Sequence, residues 1–160
     1  MGQARIFIYF LVFAIVGLGY FSLFLVDERE RAIKFRLGEI VGTDFKPGLH
    51  FKMPFINNVK KFDGRIQTLD SKAERFLTSE KKNVLVDTYV KWRIKDVGRF
   101  YTAVAGSFNS AELRLDQIIK DGLRSEVSKR TIRESVSGER TQIMSTITSL
   151  SNESAAEIGV

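Results

Sequence analysis

The feature that most limits what this chain can become is its start. From Ile6 to Val26 no residue carries a charge, and only Gly17, Gly19 and Ser22 fall outside the apolar class. At about 1.5 Å of rise per residue such a run spans roughly 30 Å, the thickness of a bilayer's hydrocarbon core. A helix satisfies its own backbone hydrogen bonds in lipid. The run is therefore expected to be a transmembrane anchor over residues 1–26, with Ile6, Phe10, Phe13, Val16, Leu18, Phe21, Leu25 and Val26 in the membrane. Tyr9 and Tyr20 are candidates for the interfaces, although Tyr20 lies deep for that role. A cleaved signal peptide is the weaker reading. The apolar core exceeds the usual ~7–15 residues, and no small-x-small cleavage pattern precedes Asp27. Gly17-Leu18-Gly19 is not a GxxxG helix-pairing motif.

Orientation is harder to read. Arg5 precedes the run, whereas Arg29, Arg31, Lys34 and Arg36 follow it. A simple Lys/Arg count places the C-terminal side in the cytoplasm, but long folded domains cross largely regardless of charge. Local charge alone leaves the side open. The absence of cysteine removes disulfides, thiol nucleophiles and thiolate metal sites. The net charge of +6 is spread among alternating signs. With no basic block and no recognition motif, nucleic acid is not an expected partner.

Beyond Asp27-Glu28-Arg29-Glu30-Arg31 the pattern becomes strand-like. Ala32–Arg36 reads as a strand, Leu37-Gly38-Glu39 as a turn and Ile40-Val41 as the return. Lys46-Pro47-Gly48 is a second turn, Leu49–Met53 a strand that Pro54 stops, and Val59–Leu69 an extended segment with a bulge expected at Gly64. The firmest strand is Asn83–Lys95. Val84, Val86, Thr88, Val90, Trp92 and Ile94 share one face there, opposite Asp87, Lys91 and Arg93. Arg99–Tyr101 opens a short helical turn. Asn109 with Glu112 predicts a capped helix to about Lys129, with Ala111, Leu115, Ile118, Ile119 and Gly122 on one face. Thr131–Glu134 suggests a further capping box. Ser137 is expected to cap a last helix carrying Ile143, Ile147, Leu150 and Ile158 inward. Strands followed by helices predict an α+β fold, with a strand-rich part over 27–105 and a helical part over 106–160.

Chemistry is sparse. His50, the sole histidine, sits in an apolar-flanked strand without a second imidazole or thiolate to make a metal site. Asp63, Asp70 and Asp87 are expected to make salt bridges or turn contacts rather than a carboxylate pair. No nucleophile elbow, phosphate loop or zincin motif is present. No catalytic, cofactor or metal residues are assigned. Trp92 is expected in the core. Phe51, Pro54, Phe55 and Ile56 form the patch of interest: core packing is the bland reading, and a loop touching the membrane is the functional one.

The order of motifs resembles a known family. The anchor, Glu28-Arg29-Glu30-Arg31-Ala32-Ile33, Phe35-Arg36-Leu37-Gly38 and Pro47-Gly48-Leu49-His50-Phe51-Lys52-Met53-Pro54-Phe55 are similar to the start of an SPFH (band 7, stomatin–prohibitin) domain. Asp63–Asp70 and Lys82–Ile94 resemble its bacterial HflC-like branch rather than the HflK-like branch or stomatin. The resemblance runs from the anchor to about Arg140.

It implies a non-catalytic scaffold that pairs with an HflK-like paralogue, self-associates in the full-length protein, and restrains an FtsH-like AAA membrane protease. It implies a single-pass protein of the bacterial inner membrane with a periplasmic domain, against the charge count. It also implies bilayer contact around Pro54-Phe55. Family members continue through further strands and a long coiled-coil helix, whereas this chain stops at Ile158-Gly159-Val160, so it reads as truncated. A lipid-organising protein of stomatin type is the alternative, and a membrane-tethered hydrolase a more distant one.

Overall fold

In the computed structural model, residues 11, 13, 17, 19–43, 45–131 and 140–160 are described. The fold is α+β, with antiparallel sheets and helices, and it divides into two compact units, Met1–Gly64 and Arg65–Val160. The division differs from the strand-rich and helical parts expected to meet near residue 105. A long hairpin belongs with the helices.

In the first unit, β1 (Leu23–Val26) pairs antiparallel with β4 (Gly48–Phe51). A three-stranded sheet runs β3 (Glu39–Gly42), β2 (Glu30–Arg36), β5 (Asn57–Asp63). The end of the apolar run is thus a strand and not a helix: Phe21 is the last helical residue before it. Leu23 and Leu25 are exposed whereas Phe24 and Val26 are buried, a period of two that uniform apolarity conceals. Val26, expected in the membrane, is only 2% exposed and belongs to the core with Phe24 and Ala32. Ala32, Ile33 and Phe35 are all buried, so β2 is covered on both faces. Gly64 does not bulge a continuous strand. It ends β5, donating its N–H to the Arg29 carbonyl at 2.7 Å.

In the second unit, β6 (Gln67–Leu77) and β7 (Asn83–Trp92) form the long hairpin, and its register slips between Ser71 and Glu74. Extra residues on one strand of a ladder make a bulge there. The inward face read from β7 holds: Val84, Val86, Thr88 and Val90 are half-buried, and Trp92 and Ile94 are buried.

The helical turn expected at Arg99 is a full helix, α1 (Val97–Val104), capped by Asp96. Helix α2 (Phe108–Ser128) starts earlier than expected because Ser107, not Asn109, accepts the Ser110 N–H. It buries Ala111, Leu115, Ile119 and Leu123. Helix α3 (Arg140–Glu157) buries Ile143, Ile147 and Ala155, but Leu150 points outward. The capping signals at Thr131–Glu134 and Ser137 lie outside the described residues apart from Thr131. Trp92, Phe100 and Phe108 pack as an aromatic cluster, with Trp92 5.8 Å from Phe108 and 6.5 Å from Phe100.

Candidate functional site

The β1–β4 ribbon is two-faced. Residues directly opposite in an antiparallel pair project to the same side. The register sets Leu23 against Phe51 and Leu25 against Leu49, and all four are exposed. The other side carries Phe24, whose ring lies 5.5 Å from both Phe45 and His50. His50 donates Nε2–H to the Lys46 carbonyl at 2.6 Å, and Lys34 lies 5.3 Å over the Phe45 ring. His50 therefore closes a turn and fills an aromatic cluster, the structural role expected of it. Among the described residues no His, Cys, Asp and Glu group is arranged to hold a metal ion.

The apolar side continues into the turn after β4. Lys52 N–H donates to the Ser22 carbonyl at 2.7 Å, extending the ribbon to the residue after Phe21. Met53 then accepts from Asn57 N–H at 3.0 Å, closing a turn with Phe55 at its tip. Phe55 is 96% exposed and has φ 67°. The neighbouring β2–β3 turn is tied to it by Leu37 N–H donating to the Ile56 carbonyl at 3.3 Å. Leu37 is 88% exposed with φ 51°, and Gly38 follows with φ 95°. Positive φ at both central positions marks a type I′ turn, where Asn-Gly is the usual choice. A large apolar residue at positive φ costs about 1–2 kcal/mol. This fold pays that cost twice, at two adjacent tips, to hold side chains in the open.

Phe51, Phe55 and Ile56 are thus exposed and Pro54 is half-buried. Core packing, the bland expectation for this patch, is not what the structure shows. Sequence reasoning placed Leu25 in the anchor and did not join it, or Leu23, Leu37, Leu49 and Met53, to this patch, whose surface they complete. Alternation in Leu49-His50-Phe51-Lys52-Met53 was the available signal for Leu49 and Met53. A contiguous exposed apolar surface of this kind marks an interaction site. Of the expected anchor residues, Phe13 and Phe21 are helical and exposed, Leu25 is an exposed strand residue, and Ile6, Phe10, Val16 and Leu18 lie outside the described residues. Among the described residues no helix is long and apolar enough to cross a membrane.

The second unit has a polar cluster where α2 meets the β6 bulge. Ser71 Oγ–H donates to Asp116, and Lys120 Nζ lies 2.8 Å from Asp116 and 3.5 Å from Glu74. Arg124 reaches Glu74 at 3.1 Å. Beside them is a cavity of about 220 Å³ lined by Leu69, Asp70, Asn109 and Glu112 among others. Burial works against charge on Asp116, but hydrogen bonds from Lys120 and Ser71 and the Lys120 charge outweigh it, so its carboxyl lies below the usual range. Lys120 is raised, chiefly by its hydrogen bond to Asp116. A carboxylate held acidic is a poor general base, and a lysine held cationic a poor nucleophile. The cluster is built as a clamp between hairpin and helix. In the strand registers Asp63 stands opposite Glu30, and Asp70 opposite Tyr89.

Comparison with known proteins agrees with this architecture. Residues 24–160 match the SPFH domain / Band 7 family. The chain is 48% identical over 126 residues to Protein HflC of Vibrio parahaemolyticus, covering 74% of this chain and 39% of that protein. It is 42% identical over 159 residues to Protein HflC of Haemophilus influenzae, covering 93% of this chain and 54% of that one. It is 44% identical over 128 residues to Modulator of FtsH protease HflC of Escherichia coli K12, covering 76% of this chain and 38% of that protein. The chain therefore spans about two fifths to one half of the length of these relatives, and the HflC-like resemblance read from its motifs holds. With a family match across most of its length, this chain belongs to the SPFH / Band 7 family.

Proposed function

We propose that the protein is a membrane-anchored, non-catalytic scaffold that, with an HflK-like paralogue, regulates an FtsH-type membrane protease. The observation that carries the membrane part is the exposed apolar face of β1, β4 and the two tips, continuous through Ser22 with the apolar N-terminal run. A helix from Ile6 to Phe21 would rise only about 24 Å, short of a core of roughly 30 Å. Leu23, Leu25 and Phe51 supply the missing apolar depth, so the anchor ends at Phe21 and the ribbon rests in the interface. The strand-rich stretch 27–105 and the helical stretch 106–160 then follow. The regulatory part is supported by the E. coli relative named a modulator of FtsH protease.

Anchored copies, including self-associated ones, placed side by side would enclose a membrane patch and limit access to the protease by avidity. The domain is assigned to the periplasmic face of the bacterial inner membrane. Protease protection on sealed vesicles of known orientation tests the side. Pull-down of tagged protein from detergent extracts tests the partners: recovery of neither paralogue nor protease, where a full-length relative recovers both, rejects the scaffold. The apolar face by itself also favours a lipid-organising role of stomatin type. Altered lipid composition around the purified protein, with protease control unchanged, would select that reading.

A further inference from the structure

The apolar tips are flanked by cations that the fold leaves unpaired. Arg36 ends β2 immediately before the Leu37 tip, and Lys52 follows β4 immediately before the Phe55 turn. Neither side chain is in an ion pair or hydrogen bond within the described structure. Elsewhere in this unit Lys61 pairs with Glu30 at 2.7 Å, Lys34 covers the Phe45 ring and Lys60 the Phe62 ring. Glu39 stands across the β2–β3 ladder from Arg36, exposed and without an ion pair to it.

Arg36 and Lys52 border the same turn. Arg36 opposes Asn57, whose N–H bonds to the Met53 carbonyl beside Lys52. The Lys52 bond to Ser22 holds it one residue beyond the end of the helix. A cation at that level, with its stem along apolar surface, has its charged head among lipid phosphates. Arginine offers a planar fork to a phosphate, and lysine a point charge.

We infer that Arg36 and Lys52 read anionic phospholipid headgroups, so that this face takes anionic lipids in preference to zwitterionic ones. The inference rests on the membrane-contact reading above. Each basic residue near an anionic surface is worth about a fivefold change in association.

The test uses the full chain in vesicles of phosphatidylcholine and phosphatidylglycerol. Phe55→Trp, in a Trp92→Phe background, makes position 55 the only indole, since the chain has a single tryptophan. Acyl chains are brominated on one lipid or the other, at equal mole fraction, and quenching is compared. Stronger quenching by brominated phosphatidylglycerol is expected. That preference should fall about fivefold in Arg36→Gln or Lys52→Gln and towards unity in the double variant. Lys61→Gln, which removes the same charge elsewhere in the unit, should leave it intact. Equal quenching by the two lipids, or a preference that survives the double variant, overturns the headgroup assignment while leaving membrane contact standing. Quenching by neither overturns membrane contact and the headgroup assignment together.

Discussion

Replacing Phe55 by Asn should stabilise the fold and weaken its hold on the membrane. The ring is 96% exposed, so its removal costs the fold no buried contact. The backbone sits at φ 67°, which Asn adopts at lower cost than Phe. Relief of that strain should raise the stability of the β2–β5 region by about 1 kcal/mol. If the ring is buried in lipid, its loss removes about 1.5–3 kcal/mol of transfer free energy from the contact. A change of that size is roughly 10- to 150-fold in occupancy of the inserted state. Amide exchange of β2 and β5 in detergent reads the first effect. Peroxide oxidation of Met53, which lies on the same apolar face, reads the second in bilayer discs: the wild type should be protected and Phe55→Asn should not. Reduced amide protection in the variant, or Met53 equally protected in both proteins, would refute the reasoning.

Three further outcomes concern the second unit. Gly159 has φ 79°, its carbonyl accepts from the Lys95 and Asp96 N–H groups, and an added Cβ would lie 2.3 Å from the Asp96 carbonyl oxygen. Gly159→Ala should cost about 2 kcal/mol or more, read as a lower urea midpoint by Trp92 fluorescence; an unchanged midpoint counts against it. Asp116 is lowered in the folded protein, so its contribution is complete above the unfolded value near ~3.9 and is lost as pH falls through the lower folded value. The urea midpoint should therefore drop on acidification below about pH 4, and Asp116→Asn should flatten that drop; an identical acid profile in the variant would discount the clamp. Trp92 Nε1 is buried without a hydrogen-bond partner. Trp92→Phe trades lost packing against a removed desolvation penalty of about 1–3 kcal/mol, so thermal unfolding followed by circular dichroism should shift little; a loss above about 3 kcal/mol would show the indole N–H to be satisfied.

Much of this fold is legible from local pattern. In β7 apolar and polar residues alternate, so its inward face follows from the chain alone. In β1 the residues Leu23-Phe24-Leu25-Val26 are uniformly apolar, and no period distinguishes an anchor's last turn from a strand. The Ser107 cap competes with Asn109 two residues later, and either residue type suits the position. Leu150 keeps the helical spacing of Ile143 and Ile147 yet faces outward, because spacing does not say how wide a face its neighbours cover.

The candidate site was half visible. Phe51 and Phe55 are conspicuous beside Pro54, but the register that sets Leu23 against Phe51 and Leu25 against Leu49 joins residues far apart in sequence. The clamp at Asp116 was not visible at all, since it needs the Ser71–Glu74 bulge to meet one face of α2.

By itself the sequence determined the apolar start, the order of strands before helices, the inward face of β7 and the family. Those properties depend on composition and on periods of two or 3.6 residues, which neighbouring positions carry. Only the tertiary structure decided that the helix stops at Phe21, that the chain divides at Gly64, and that Leu37 and Phe55 stand exposed at positive φ. Each of these depends on which distant strand pairs with which. A hydrophobic residue is drawn equally to a core or to lipid, and the pairing decides which of the two it faces.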